Sequence, residues 1–118
     1  MMDKIIIRDA QFNCNIGVSE RERNIKQKII LDIEMFLDIR KTARTDNIEN
    51  TVNYSEICLK IKKVLDIKKF KLIETLAENI SSEILKDKKI KKIKLRVKKP
   101  MALKKYGASF AAVEIERK

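Results

Sequence analysis

Four short stretches of this chain carry side chains that can do chemistry together: Glu22, Thr51-Val52-Asn53-Tyr54, Leu72-Ile73-Glu74 and Lys98-Lys99-Pro100. A carboxylate beside apolar residues, a phenol and a lysine can grip a flat heterocycle and move protons. Glu74 can act as a fork accepting two hydrogen bonds from adjacent N–H donors in one plane. The bland reading is an acid at a helix start, worth a few tenths of a kcal/mol up to about 1 through the helix dipole. Tyr54 is a phenol able to donate or relay a proton, or an aromatic whose hydroxyl is simply satisfied. Glu22 lies in the charge run Glu20-Arg21-Glu22-Arg23, which on its own reads as a solvated surface. Lys99 precedes the only proline, so its backbone is pushed to extended geometry and the strand ends there. It is an exposed charge, a proton donor or, chemically, a Schiff-base amine.

Composition narrows the chemistry. The 118 residues contain no histidine. A zinc site built on histidines and a Ser-His or Cys-His nucleophile are therefore excluded. Acid–base work falls to Glu, Asp, Lys, Tyr or bound water. Cys14 and Cys58 form one possible pair, and free thiols are expected in the absence of an export signal. The start, Met1-Met2-Asp3-Lys4, runs straight into a strand-like pattern, so a cytoplasmic location is expected. No apolar run approaches a membrane span.

The net charge of +11 invites a nucleic-acid reading. Lysine outnumbers arginine 21 to 7, isoleucine numbers 19, and aromatics are only 5%. That bias resembles an AT-rich genome more than a surface selected for bidentate contacts and stacking. No nucleic-acid or membrane partner is expected.

The elements that must hold these residues follow from periodicity. Residues 4–16 alternate as a strand, with a break in phase between Ile7 and Phe12 that suggests a bulge. Residues 17–25 read as a charged connection. Ile29, Leu31, Ile33, Met35, Leu37 and Ile39 form one face of a long second strand, with Lys28, Asp32, Glu34 and Asp38 opposite. Residues 41–51 are turn-rich. A helix starts near Asn53, a capping residue, with Ile57, Ile61, Val64 and Leu65 as its stripe. Ile73, Leu76, Ala77, Ile80 and Ile84 mark a second helix. Strands follow at about 90–98 and 109–117. The order ββααββ in one domain spanning 1–118 predicts an α+β fold, with helices on one sheet face and a charged, wet opposite face.

The joint spacing resembles the dihydroneopterin aldolases of folate biosynthesis over essentially the whole chain. The matching stretches are Ile16-Gly17-Val18 with Glu22 and Gln27, Asp32-Ile33-Glu34, Thr45-Asp46-Asn47 and Thr51-Val52-Asn53-Tyr54. They continue with Leu72-Ile73-Glu74, Leu76-Ala77-Glu78, Lys99-Pro100 and Val113-Glu114-Ile115-Glu116-Arg117. Two departures stand out. Met101 to Gly107 replaces a Pro-Gly-His-rich loop, in the manner of a Lys-Pro-x-Ala-Leu subgroup. Ile16 replaces a frequent histidine.

The resemblance implies a tunnelling fold: a four-stranded antiparallel sheet with two helices on one face, oligomerising into a barrel. It implies a homo-oligomer, tetramer or octamer, with active sites between subunits. It also implies a metal-independent carbon–carbon lyase without cofactor, acting on a small-molecule pterin. Lys99, Tyr54 and Glu22 would be catalytic. Glu74, Ile73, Leu72, Val52 and Asn53 would bind substrate, with Val52 and Tyr54 coming from the neighbouring subunit. The alternatives are a dihydroneopterin triphosphate epimerase, for which Lys104 and Lys105 could receive phosphates, and a basic nucleic-acid-associated protein that kept the fold.

Overall fold

The computed structural model describes residues 2–118. Four antiparallel strands form one sheet in sequence order, β1 (Asp3–Asn15), β2 (Lys26–Leu37), β3 (Lys92–Lys99) and β4 (Ala111–Arg117). Helices α3 (Tyr54–Ile67) and α4 (Ile73–Ile84) lie between β2 and β3 in sequence and cover one face. Period-2 alternation puts Ile29, Leu31, Ile33, Met35 and Leu37 of β2 and Ile93, Leu95 and Val97 of β3 into a core that is almost fully dry. The helices meet it with the stripes read from sequence, Ile57, Ile61, Val64 and Leu65 on α3 and Leu76, Ala77, Ile80 and Ile84 on α4.

The other face is an ion-pair ladder. Arg96 pairs with Glu114 at 2.8 Å, Lys92 with Glu116 at 3.6 Å and Lys94 with Glu114 at 3.8 Å. The expected bulge falls between Ile7 and Ala10, where Asp9 takes a left-handed φ of 55°. Two contacts hold that strained residue, and a third ties their partners together. Its amide donates to Asp32 Oδ1 at 2.9 Å, and Lys98 Nζ bridges Asp9 at 2.7 Å and Asp32 at 3.0 Å. Asp32, expected on the wet face, is thus 8% exposed. Burial works to raise its pKa, but the Asp9 amide and the Lys98 ammonium outweigh it and lower the carboxyl below its usual range.

Three details differ from the sequence reading. β2 ends at Leu37 rather than Ile39, because Asp38 turns back and accepts the Arg40 amide at 2.9 Å. A short helix α2 (Arg40–Thr45) occupies part of the expected turn region and closes on Asp46 in the left-handed conformation. A second short helix, α1 (Glu20–Arg23), sits inside the expected charged connection. Among the described residues no helix is long and apolar enough to cross a membrane.

Candidate active site

The site is assembled at the end of the sheet where β1 stops, β2 starts and β3 stops. Lys99 is the last residue of β3, and its strand ends at Pro100 as expected. Its Nζ lies 3.2 Å from Glu22 Oε2. The lysine side chain is 15% exposed and that of the glutamate 45%. Glu22 reaches it from α1, held by a capping box. Ser19 Oγ accepts the Glu22 amide at 3.2 Å and donates to Glu22 Oε1 at 3.2 Å, while the Ser19 amide donates to Oε1 at 3.5 Å. One carboxylate oxygen is thereby occupied locally and the other faces Lys99. The Lys99 hydrogen bond and charge, assisted by Ser19, hold the Glu22 carboxyl below its usual pKa.

The α1 turn is fastened from both sides. Gln27 Nε2 donates to the Ile16 carbonyl at 2.6 Å and the Glu22 carbonyl at 3.4 Å. Arg23 Nη1 donates to the Gly17 and Val18 carbonyls, and Asn15 Nδ2 to the Arg23 carbonyl. Cys14, near the end of β1 and within reach of the Lys99 charge, is 2% exposed. Burial pushes its thiol up to about 11 against the pull of Lys99 and Lys26, so it stays protonated and unreactive at neutral pH. Both cysteines are free.

The second part of the site is brought in by a clip. Ile16 and Phe70 form a parallel bridge, with Phe70 donating to the Asn15 carbonyl at 2.9 Å and Gly17 donating to the Phe70 carbonyl at 3.0 Å. Two residues later come Leu72, Ile73 and Glu74 at the start of α4, with Leu72 and Glu74 exposed and Ile73 half-buried. Leu72 occupies the N-cap position and makes no side-chain capping bond. Among the described residues the first amides of α4 have no side-chain acceptor, an arrangement open to a ligand's acceptor atoms.

The third group stands elsewhere. Asn53 caps α3 by accepting the Ser55 amide at 3.0 Å, and Tyr54 opens that helix with 62% of its surface exposed. α3 ends next to the clip at Phe70, and its 14 residues make it roughly 20 Å long. Asn53 and Glu56 instead share a depression with Asp87 and Lys89, beyond the far end of α4. Glu22, Lys99, Leu72, Ile73 and Glu74 thus gather at one end of the helix pair, and Val52, Asn53 and Tyr54 at the other. Val52 is 3% exposed and packed in the core, so any contact it offers a ligand comes from its backbone.

The spacing Ser19-x-x-Glu22, a capping-box signature, could have revealed α1 and the anchoring of Glu22 from sequence. Nothing in the sequence announced the roles of Gly17, Asn15 and Arg23. Lys104 and Lys105 sit exposed on a short 3-10 turn past Pro100, with Lys105 over the Tyr106 ring. Among the described residues no group of three or more His, Cys, Asp or Glu is placed to hold a metal ion.

With this geometry in view, comparison with known proteins is decisive. The FolB dihydroneopterin aldolase family model matches residues 5–116. The chain belongs to the dihydroneopterin aldolase family. It is 32% identical to the dihydroneopterin aldolase of Bacillus subtilis over 99% of this chain and 98% of that one. It is also 35% identical, over 98% of its length, to part of the folic acid synthesis protein FOL1 of Dictyostelium discoideum, and spans 17% of that protein. The crystal structure of E. coli dihydroneopterin aldolase in complex with neopterin superimposes with a TM-score of 0.92 at 30% identity, covering 99% of this chain and 100% of that one. These matches bear out the family resemblance and the four-stranded α+β fold, and they do not favour the epimerase alternative.

Proposed function

We propose that this chain cleaves 7,8-dihydroneopterin by a retro-aldol reaction to 6-hydroxymethyl-7,8-dihydropterin and glycolaldehyde in folate biosynthesis, without a metal. The observation that supports it most is the Glu22–Lys99 pair, 3.2 Å apart and beside the start of α4. A base and an acid in contact can act on the two ends of one electron shift. In this reading the Glu74 carboxylate accepts the amino-pyrimidinone N–H edge, and Leu72 and Ile73 add apolar surface and the α4 amides.

A water held by Glu22 and Tyr54 takes the proton from the hydroxyl on the second side-chain carbon. That oxygen forms the carbonyl of glycolaldehyde, and the bond between the first and second side-chain carbons breaks. The electron pair moves into the ring C=N, whose nitrogen is protonated with the help of Lys99. The resulting enol carbon then takes up a proton while the ring nitrogen gives up the one it received, which restores the C=N and leaves the hydroxymethyl group. The ring's own C=N serves as electron acceptor, so no Schiff base is needed. The absence of histidine from the sequence accords with this metal-free route.

The working form in this reading is a homo-oligomer, tetramer or octamer, with Tyr54, Asn53 and Val52 supplied by a neighbour. Three features support it. Tyr54 stands the length of α3 away from its own chain's Glu74. The sheet is open, with β1 and its 13 residues as one edge and β4 as the other. The ion-pair ladder gives the outer sheet face a surface suited to a wet channel rather than a core. We place the enzyme in the cytoplasm, in accord with two free thiols.

Incubation of the purified protein with 7,8-dihydroneopterin, followed by chromatography with fluorescence detection, tests the assignment. 6-Hydroxymethyl-7,8-dihydropterin with equimolar glycolaldehyde supports it. An epimer without cleavage would overturn it.

A further inference from the structure

Glu22 reaches Lys99 because of two small residues that precede it. Gly17 is buried, and its φ lies outside the left-handed region, so backbone freedom does not explain a glycine there. Space does. A Cβ on Gly17 would stand 2.2 Å from Glu22 Cβ, 3.2 Å from Cγ and 3.0 Å from Cδ. The same residue donates its amide to the Phe70 carbonyl at 3.0 Å, two residues before Leu72. Glu22 is therefore packed against the strand bridge that also delivers the start of α4. Ser19 then sets the rotation of the carboxylate by holding Oε1, which leaves Oε2 toward Lys99.

We propose that Gly17 and Ser19 are positioning residues: Gly17 leaves the room into which Glu22 folds, and Ser19 aims the Glu22 carboxylate at Lys99 and at the substrate. An exposed serine at the start of a four-residue helix with no buried residue has little fold to stabilise. Its bonds go to the one carboxylate that faces the lysine. Lys99 is the charge that faces Glu22 from β3, and Arg23 on α1 points back to the Gly17 and Val18 carbonyls. A displacement of about 1 Å at such a group is enough to cost up to about a hundredfold in rate.

This inference rests on the aldolase reading for its kinetic arm, so one readout is independent of turnover. In Ser19→Ala, kcat with 7,8-dihydroneopterin falls about tenfold while KM changes less than about twofold. The Glu22 carboxyl, followed by carbon-13 NMR, titrates at higher pH than in the unmodified protein. Ser19→Thr restores both. Gly17→Ala lowers kcat further, because its Cβ must push the α1 backbone. In a Glu22→Gln background, Ser19→Ala costs less than about twofold more, as expected for residues acting through one group. Unchanged kcat and an unchanged Glu22 titration in Ser19→Ala would overturn the proposal, as would an equal loss in the Glu22→Gln background. Absence of cleavage by the unmodified protein would instead sink the aldolase reading and leave the titration to decide the role of Ser19.

Discussion

Replacing Lys99 with alanine separates the chemical work of the Glu22–Lys99 pair from its structural work. Unit charges 3.2 Å apart attract by about 1 kcal/mol in a water-like medium and about 5 kcal/mol at an effective dielectric of 20. Glu22 is 45% exposed, so solvent screening draws the value to the low end, and exposed pairs of this kind contribute about 0.2–1 kcal/mol to stability. Loss of the pair should lower the melting temperature by no more than about 5 °C. A positioned general acid contributes about 10²–10⁴ in rate, or about 3–5 kcal/mol of barrier. The expected outcome is a folded protein whose kcat has dropped by two to four decades. Differential scanning calorimetry and steady-state kinetics on 7,8-dihydroneopterin measure the two quantities on one preparation. Turnover within about threefold of the unmodified enzyme would refute the acid–base role. A collapse of stability matching the loss of rate would show the lysine to be structural.

Glu74→Ala should raise KM or the pterin Kd by about a hundredfold or more, while the melting temperature stays nearly unchanged; binding titration with a pterin checks it, since charged hydrogen bonds lost from a ligand are costly and an exposed helix-start acid is not. The acid limb of kcat/KM should lie below the ordinary glutamate value of 4.5, because Lys99 lowers the Glu22 pKa and the base form persists to lower pH. Lys99→Met should move that limb upward in a pH–rate profile. Asp32→Asn should destabilise the fold by about 1.5–3 kcal/mol in urea unfolding, by weakening the charged bonds to Lys98 and the Asp9 amide. Asp32 has a lowered folded pKa, so its contribution is present above 3.8 and is lost as pH falls through the folded value. The variant's stability deficit should therefore shrink on acidification.

The sheet and the two long helices were legible because burial imposes a period. β2 alternates through five consecutive inward positions from Ile29 to Leu37, and α3 and α4 repeat every 3.6 residues. Helix α1 was hidden because none of its four residues is buried and a charge run has no periodicity. Helix α2 likewise buries nothing. Ile39 continued the apolar alternation of β2, but the local Asp38–Arg40 bonds ended the strand before it. The candidate site was legible only through the family resemblance. Glu22 and Lys99 lie 77 residues apart, and only the sheet's register and the Phe70 clip bring their surroundings together. Asp32 went the other way: alternation placed it correctly on the charged face, yet the Asp9 bulge and Lys98 closed over it.

In the proposed oligomer, turnover needs Lys99 from one subunit and Tyr54 from another. Co-expressed Lys99→Ala and Tyr54→Ala chains, assembled into mixed oligomers, test it most directly. Each variant alone should be nearly inactive. Random mixing should leave about a quarter of the sites with both residues intact, and about a quarter of the unmodified cleavage rate should return. Mixed oligomers no more active than the separate variants would contradict a site shared between subunits.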